Sequence, residues 1–223
     1  MQTREKLINQ ERARSAAYTR LADAFRQPGP DLPTAIDELE TALGRIGSDA
    51  LETANRLNRS YFDHSAPCSL KVDYAGLFVG PFIVAAPPCG SVYLEDKRQL
   101  MGDSSTDVRR HYLSLGLDLS PDFKEAPDHI CAELEFMHVL IGQGVEAIDA
   151  GEYGQLAEII RHQQVFLKKH LAAWIPAFTA NIIDHARTDY YRHLGALTRQ
   201  FIAEEMDTVS DLDVPHVAAA AAR

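Results

Sequence analysis

Apolar residues return at three- and four-residue intervals along nearly the whole chain, and no stretch alternates apolar with polar as a half-buried strand would. That rhythm restricts the chain to an all-α fold. Tyr18, Leu21 and Phe25 make one stripe, Ile36, Leu39, Leu43 and Ile46 a second, and Leu51, Ala54, Leu57 and Tyr61 a third. Gly47-Ser48 separates the last two as a helix stop followed by a cap. The clearest stripe is Ile130, Leu134, Met137, Ile141, Val145 and Ile148, with Glu133, Glu135 and Glu146 off its centre. Leu156, Ile160, Gln163, Leu167, Leu171, Trp174 and Phe178 form another. Ile182, Ala186, Tyr190, His193, Leu197 and Phe201 continue into a last helix or pair, and Pro176 is expected to mark the corner before them.

Residues 63–105 break the rhythm. His64 to Leu70 reads as loop, Tyr74 to Val79 as a short helix, and Gly80 to Asp103 is rich in proline and glycine. A long irregular segment inside a compact domain usually serves a function. Ser105 or Thr106 is placed to cap a helix bearing Val108, Tyr112 and Leu115, which Gly116 ends. Past Met206 the pattern fades toward a run of alanines. The architecture expected is a single-domain helical bundle of about eight to ten helices over residues 1–208, in one lobe or two, with a C-terminal tail over 209–223.

Charge and cysteine usage narrow the partners. A net charge of −10 repels nucleic acid and favours a basic partner. Cys68, Cys89 and Cys131 are odd in number and lack metal-type spacing, which suits a reducing cytoplasm. The N-terminus has neither the apolar run of a secretory signal nor a membrane-spanning stretch, so no stable membrane insertion is expected. Arg109-Arg110 lies mid-chain with His111, Tyr112 and Ser114 after it, and reads as surface charge rather than as an export signal.

Signatures of catalysis are sparse. No phosphate-binding loop, nucleophile elbow or His-Glu-x-x-His pair occurs. Glu135 and His138 have the Glu-x-x-His spacing of di-iron bundles, but no second copy accompanies them. The bland reading places both on the solvated flank of their helix. The alternative is a metal-dependent helical enzyme using Glu135, His138, Glu133 and His162. Asp128 follows Pro127 where a helix begins and is suited to cap it; His129 and Glu133, four apart, are spaced to pair across one turn. Tyr74, Leu77 and Phe78 sit on adjacent faces of the short helix, and Pro88, Ser91 and Tyr93 lie in a rigid turn with an aromatic anchor. Singly, each fits core or capping at least as well as function.

Together and in order, these pieces resemble the TorD/DmsD family of redox-enzyme maturation chaperones: Tyr-x-x-Leu-Phe at 74–78, a proline turn, Ser91-Val-Tyr93, Gly102, then Ala126-Pro-Asp-His129 and Glu133-Leu-Glu-Phe-Met137. The resemblance implies a cytoplasmic chaperone without enzymatic activity or cofactor, monomeric or homodimeric. Its partners would be the twin-arginine signal peptide and the apo catalytic subunit of a molybdenum oxidoreductase. It also implies a peptide site at Tyr74, Leu77, Phe78, Phe82, Pro88, Ser91, Tyr93, Gly102, Asp128, His129 and Glu133. Two positions depart from the family pattern, Tyr74 where tryptophan is frequent and Ala126 where proline is common.

Overall fold

The computed structural model describes residues 2–63, 67–80, 84–96 and 100–210. These form ten α-helices: α1 Gln2–Ala24, α2 Leu32–Ile46, α3 Leu51–Asp63, α4 Pro67–Tyr74, α5 Ser91–Leu94, α6 Asp103–Ser114, α7 Ile130–Ala150, α8 Tyr153–Lys169, α9 Leu171–His185 and α10 Asp189–Ser210. A π-helical turn, Ala75–Val79, follows α4 directly. The all-α expectation holds, and among the described residues a single bridge between Cys89 and His129 is the only strand-like pairing. No helix among them is long and apolar enough to cross a membrane. From 211 onward the expected tail lies outside the described residues.

Local chemistry sets several boundaries as the sequence indicates. Gly47 adopts φ 70°, which lets the Ser48 N–H reach back to the Leu43 carbonyl, and the Ser48 hydroxyl then accepts from the Ala50 N–H at the start of α3. Helix α1 packs along α7 and α2, and α10 runs against α9 and α3. Their shared core holds Tyr18, Phe166, Trp174, Phe178, Tyr190 and Phe201, all fully buried. One ionic network crosses it. Arg14 donates to Glu205 at 2.7 Å, to Gln163 at 2.9 Å and to Glu11 at 2.8 Å, which satisfies a guanidinium that would be costly to bury alone.

Other boundaries differ from the sequence reading. Residues 67–70, read as loop, already belong to α4. Helix α6 starts at Asp103 with Gly102 at its N-cap, ahead of Ser105 and Thr106, because the Glu95 carboxylate reaches across the turn to accept the Ser104 N–H at 2.7 Å. The corner expected at Pro176 falls at His170, where φ −114° and ψ −91° interrupt the helical path between α8 and α9. Pro176 lies early inside α9, where its missing N–H removes a single ladder bond. Glu133, placed off the stripe of α7, is in the core.

Candidate functional site

The motif residues converge on one knot. The Gly90 N–H donates to the Asp128 carbonyl at 2.9 Å, and the Ile130 N–H donates to the Pro88 carbonyl at 2.8 Å. The proline turn is thereby tied to the start of α7. A further bond from the Ala86 N–H to the Leu77 carbonyl, 2.8 Å, ties it to the π-helical turn. Asp128 completes the knot differently from the expectation that it caps its own helix. Its Oδ2 accepts from the Ser91 N–H at 2.6 Å, at the start of α5, while the ring of His129 caps α7 by accepting from the Cys131 N–H. The other Asp128 oxygen, Oδ1, is buried and makes no hydrogen bond.

Burial governs the electrostatics. It holds the His129 imidazole down to about 4, against the ordinary 6.5, and pushes the Cys131 thiol up to about 12 and the Cys89 thiol up as well. Glu133 does not pair with His129. Its Oε2 accepts from Trp174 Nε1 at 3.0 Å, and burial, opposed by that bond and reinforced by the nearby Asp128 charge, raises its carboxyl well above 4.5. Gly90 lacks a Cβ where one would meet the Trp174 ring at 3.0 Å, and Tyr93 stacks on the same ring with centroids 5.6 Å apart. At Gly102 a Cβ would stand 2.6 Å from the Glu95 carboxyl carbon, so a larger residue there would displace that side chain.

Of the sequence-predicted site residues, Leu77, Phe78, Ser91, Asp128, His129 and Glu133 are buried, while Tyr74, Pro88, Tyr93 and Gly102 are half-buried. Phe82 lies outside the described residues. Tyr74 and Phe78 meet edge to face at 5.3 Å, and Phe78 continues into the core against Tyr191 at 5.5 Å. The knot is therefore mainly a brace.

Beside it opens a groove of about 370 Å³ between the 117–123 loop and α7. Tyr112, Phe136 and Val139 contribute apolar surface from the helices, and Leu117, Leu119 and Phe123 from the loop. Asp118, Asp122 and Glu135 place three carboxylates on it against the single cation Arg26. The knot supports this groove directly: Tyr112 Oη donates to the Pro127 carbonyl at 2.9 Å, and the Phe123 ring lies 5.9 Å from that of His129. Sequence reasoning missed the loop half. The available signal was Leu117-Asp-Leu-Ser-Pro-Asp-Phe123, where apolar and acidic residues intermingle just after a helix stop.

The metal reading based on Glu135 and His138 fails on geometry. Glu135 pairs with Arg26, His138 Nδ1 lies 2.8 Å from the Ser15 hydroxyl, and Glu133 is held by Trp174. Among the described residues these three and His162 do not gather into a cluster whose donor atoms could share an ion.

A groove of apolar surface and carboxylates thus lies beside a hydrogen-bonded knot. The chain belongs to the family described as nitrate reductase delta subunit, whose model matches residues 29–180 and so encloses the knot and every groove residue but Arg26. It is 32% identical over 145 residues to the chaperone protein TorD of Psychrobacter sp., covering 64% of this chain and 63% of that protein. It is 29% identical to the Tat proofreading chaperone DmsD of Salmonella typhi, covering 71% and 69%. Over almost its full length, 93% of this chain and 96% of the other, it is 25% identical to the chaperone protein TorD of Vibrio cholerae. These relatives are chaperones, and the chain is a chaperone of their family rather than an enzyme.

Proposed function

We propose that the chain acts in the cytoplasm, binding the twin-arginine signal peptide of a molybdenum oxidoreductase and holding the apo catalytic subunit until its cofactor is in place. The observation that carries this reading is the groove. A signal peptide offers two arginines followed by an apolar run, and the groove offers carboxylates next to apolar surface. Two of those carboxylates already hold guanidinium groups of the chain itself, Glu135 with Arg26 and Asp118 with Arg109 at 3.0 Å. A peptide arginine can exchange into such a pair without leaving a carboxylate bare. The net charge of −10 steers a basic peptide inward.

Titration with synthetic twin-arginine peptides tests the proposal. Phe123→Ala is expected to weaken binding at all salt concentrations while remaining folded, and Asp122→Asn to weaken it mainly at low salt with the stability of wild type. A folded, monodisperse wild type that binds none of the host's twin-arginine signal peptides refutes it.

A further inference from the structure

We propose that Asp107, His111 and His170 form a binding site for a divalent transition metal ion, with Zn2+ the ion their donors suit best. Asp107 and His111 stand one turn apart on α6, and His170 is the residue at the α8–α9 corner. Their donor atoms lie within 4.8 Å of one another. Asp107 Oδ2 is 3.3 Å from His170 Nε2 and 4.0 Å from His111 Nε2. Metal–ligand bonds of roughly 2.0–2.1 Å in a tetrahedral site place neighbouring donors roughly 3.3 Å apart, so one edge already has that length and the others must close from 4.0 Å and from at most 4.8 Å. Two imidazoles and one carboxylate, with water in the fourth position, form a recurrent zinc donor set.

An independent observation points to a ligand. His170 is only 2% exposed, yet its ring nitrogens lack a well-aligned hydrogen bond, while Asp107 Oδ2 is paired with the exposed Lys169 ammonium. A buried imidazole is otherwise normally hydrogen-bonded.

The surroundings fit an exchangeable cation. Lys169 Nζ stands 2.6 Å from Asp107 Oδ2, but its side chain is 58% exposed and free to swing into solvent when a metal takes its place. His162 is the other titratable group whose charge reaches His111. Phe166 packs against His111 and His170 at 5.7 Å and 4.9 Å, and against Phe136 at 4.6 Å. An ion here clamps α6 to the α8–α9 corner, behind the aromatic floor of the groove.

The test uses the full chain without an affinity tag, stripped by chelator and titrated with Zn2+ against a chromophoric competitor. One ion per chain is expected, with a rise in Tm of roughly 5–10 °C at a hundredfold excess over Kd. Because His170→Ala risks unfolding the corner, the decisive variants are Asp107→Asn and His111→Gln at half-buried positions. Each is expected to weaken Zn2+ binding by roughly tenfold or more, and Lys169→Gln to tighten it a few-fold by removing the competing ammonium. Co2+ in place of Zn2+ should give the visible bands of a tetrahedral site in wild type and lose them in Asp107→Asn. A folded wild type that takes up no stoichiometric Zn2+, or Zn2+ binding left unchanged by both Asp107→Asn and His111→Gln, overturns the proposal.

Discussion

Replacing Glu133 with glutamine should stabilise the protein at neutral pH and leave it nearly unchanged in acid. The Glu133 side chain is 1% exposed and accepts from Trp174 Nε1 at 3.0 Å, a bond that a glutamine carbonyl can accept equally well. Burial keeps the carboxyl protonated well above 4.5, whereas in the unfolded chain it ionises near that value. Between the two pKa values the folded state holds one proton more than the unfolded state, so wild-type stability falls as pH rises, by about 1.4 kcal/mol per unit. The contribution is fully present below the unfolded pKa and lost through the folded one. Glutamine has no such slope. If the proton is kept to neutrality, the variant gains roughly 3 kcal/mol on wild type between pH 5 and pH 7. Urea unfolding followed by the fluorescence of Trp174, the chain's single tryptophan, measures this at the residue concerned. A difference between variant and wild type that is the same at both pH values would refute the reasoning, because Glu133 would then be ionised inside the fold.

Three further perturbations probe the brace. His129→Asn keeps an N-cap for α7, because asparagine caps well, but removes an imidazole held at about 4. Wild type should lose about 3 kcal/mol more than this variant as pH falls from 6.5 to 4, measured by the same unfolding series. Asp73 is buried, and its Oδ2 accepts from the Thr188 N–H at 2.8 Å and the Thr188 hydroxyl at 2.7 Å, joining α4 to the α9–α10 corner. Asp73→Ala should cost about 2 kcal/mol, and an unchanged Tm would show that the corner is held by other contacts. Gly102→Ala should drive the Glu95 carboxylate off the Ser104 N–H, the bond that holds its pKa below the usual range. An NMR titration should then show Glu95 moving back up, and no movement would mean that the turn absorbs the methyl group.

The helices were legible because burial repeats along each of them with a period the chain itself displays. What remained hidden depends on partners far away in sequence. His170 carries no proline or glycine to announce a corner, yet α8 ends there, with its ring packed against Phe166 and His111. Glu133 reads as the flank of α7 until Trp174 arrives from α9 with an N–H needing an acceptor. Asp128 reads as a cap for the helix it precedes, but its carboxylate caps α5, thirty-seven positions earlier in the chain. The metal-type cluster joins α6 to the α8–α9 corner, and no local spacing could reveal it beyond the one-turn interval of Asp107 and His111.

The same distinction separates the two halves of the candidate site. Order and identity made the 74–137 motif recognisable, and the structure brings its described members together, largely below the surface. A residue in that knot holds several backbone segments at once, so its replacement disturbs the fold as well as any ligand. The 117–123 loop is different. Leu119 and Phe123 are half-buried and Asp122 is exposed, and all three face the groove from a segment outside the helices. An exposed loop position such as Asp122 changes at little cost to stability. On the proposed function, affinity for one signal peptide over another would be tuned most readily in the loop, while the motif preserves the brace beneath it.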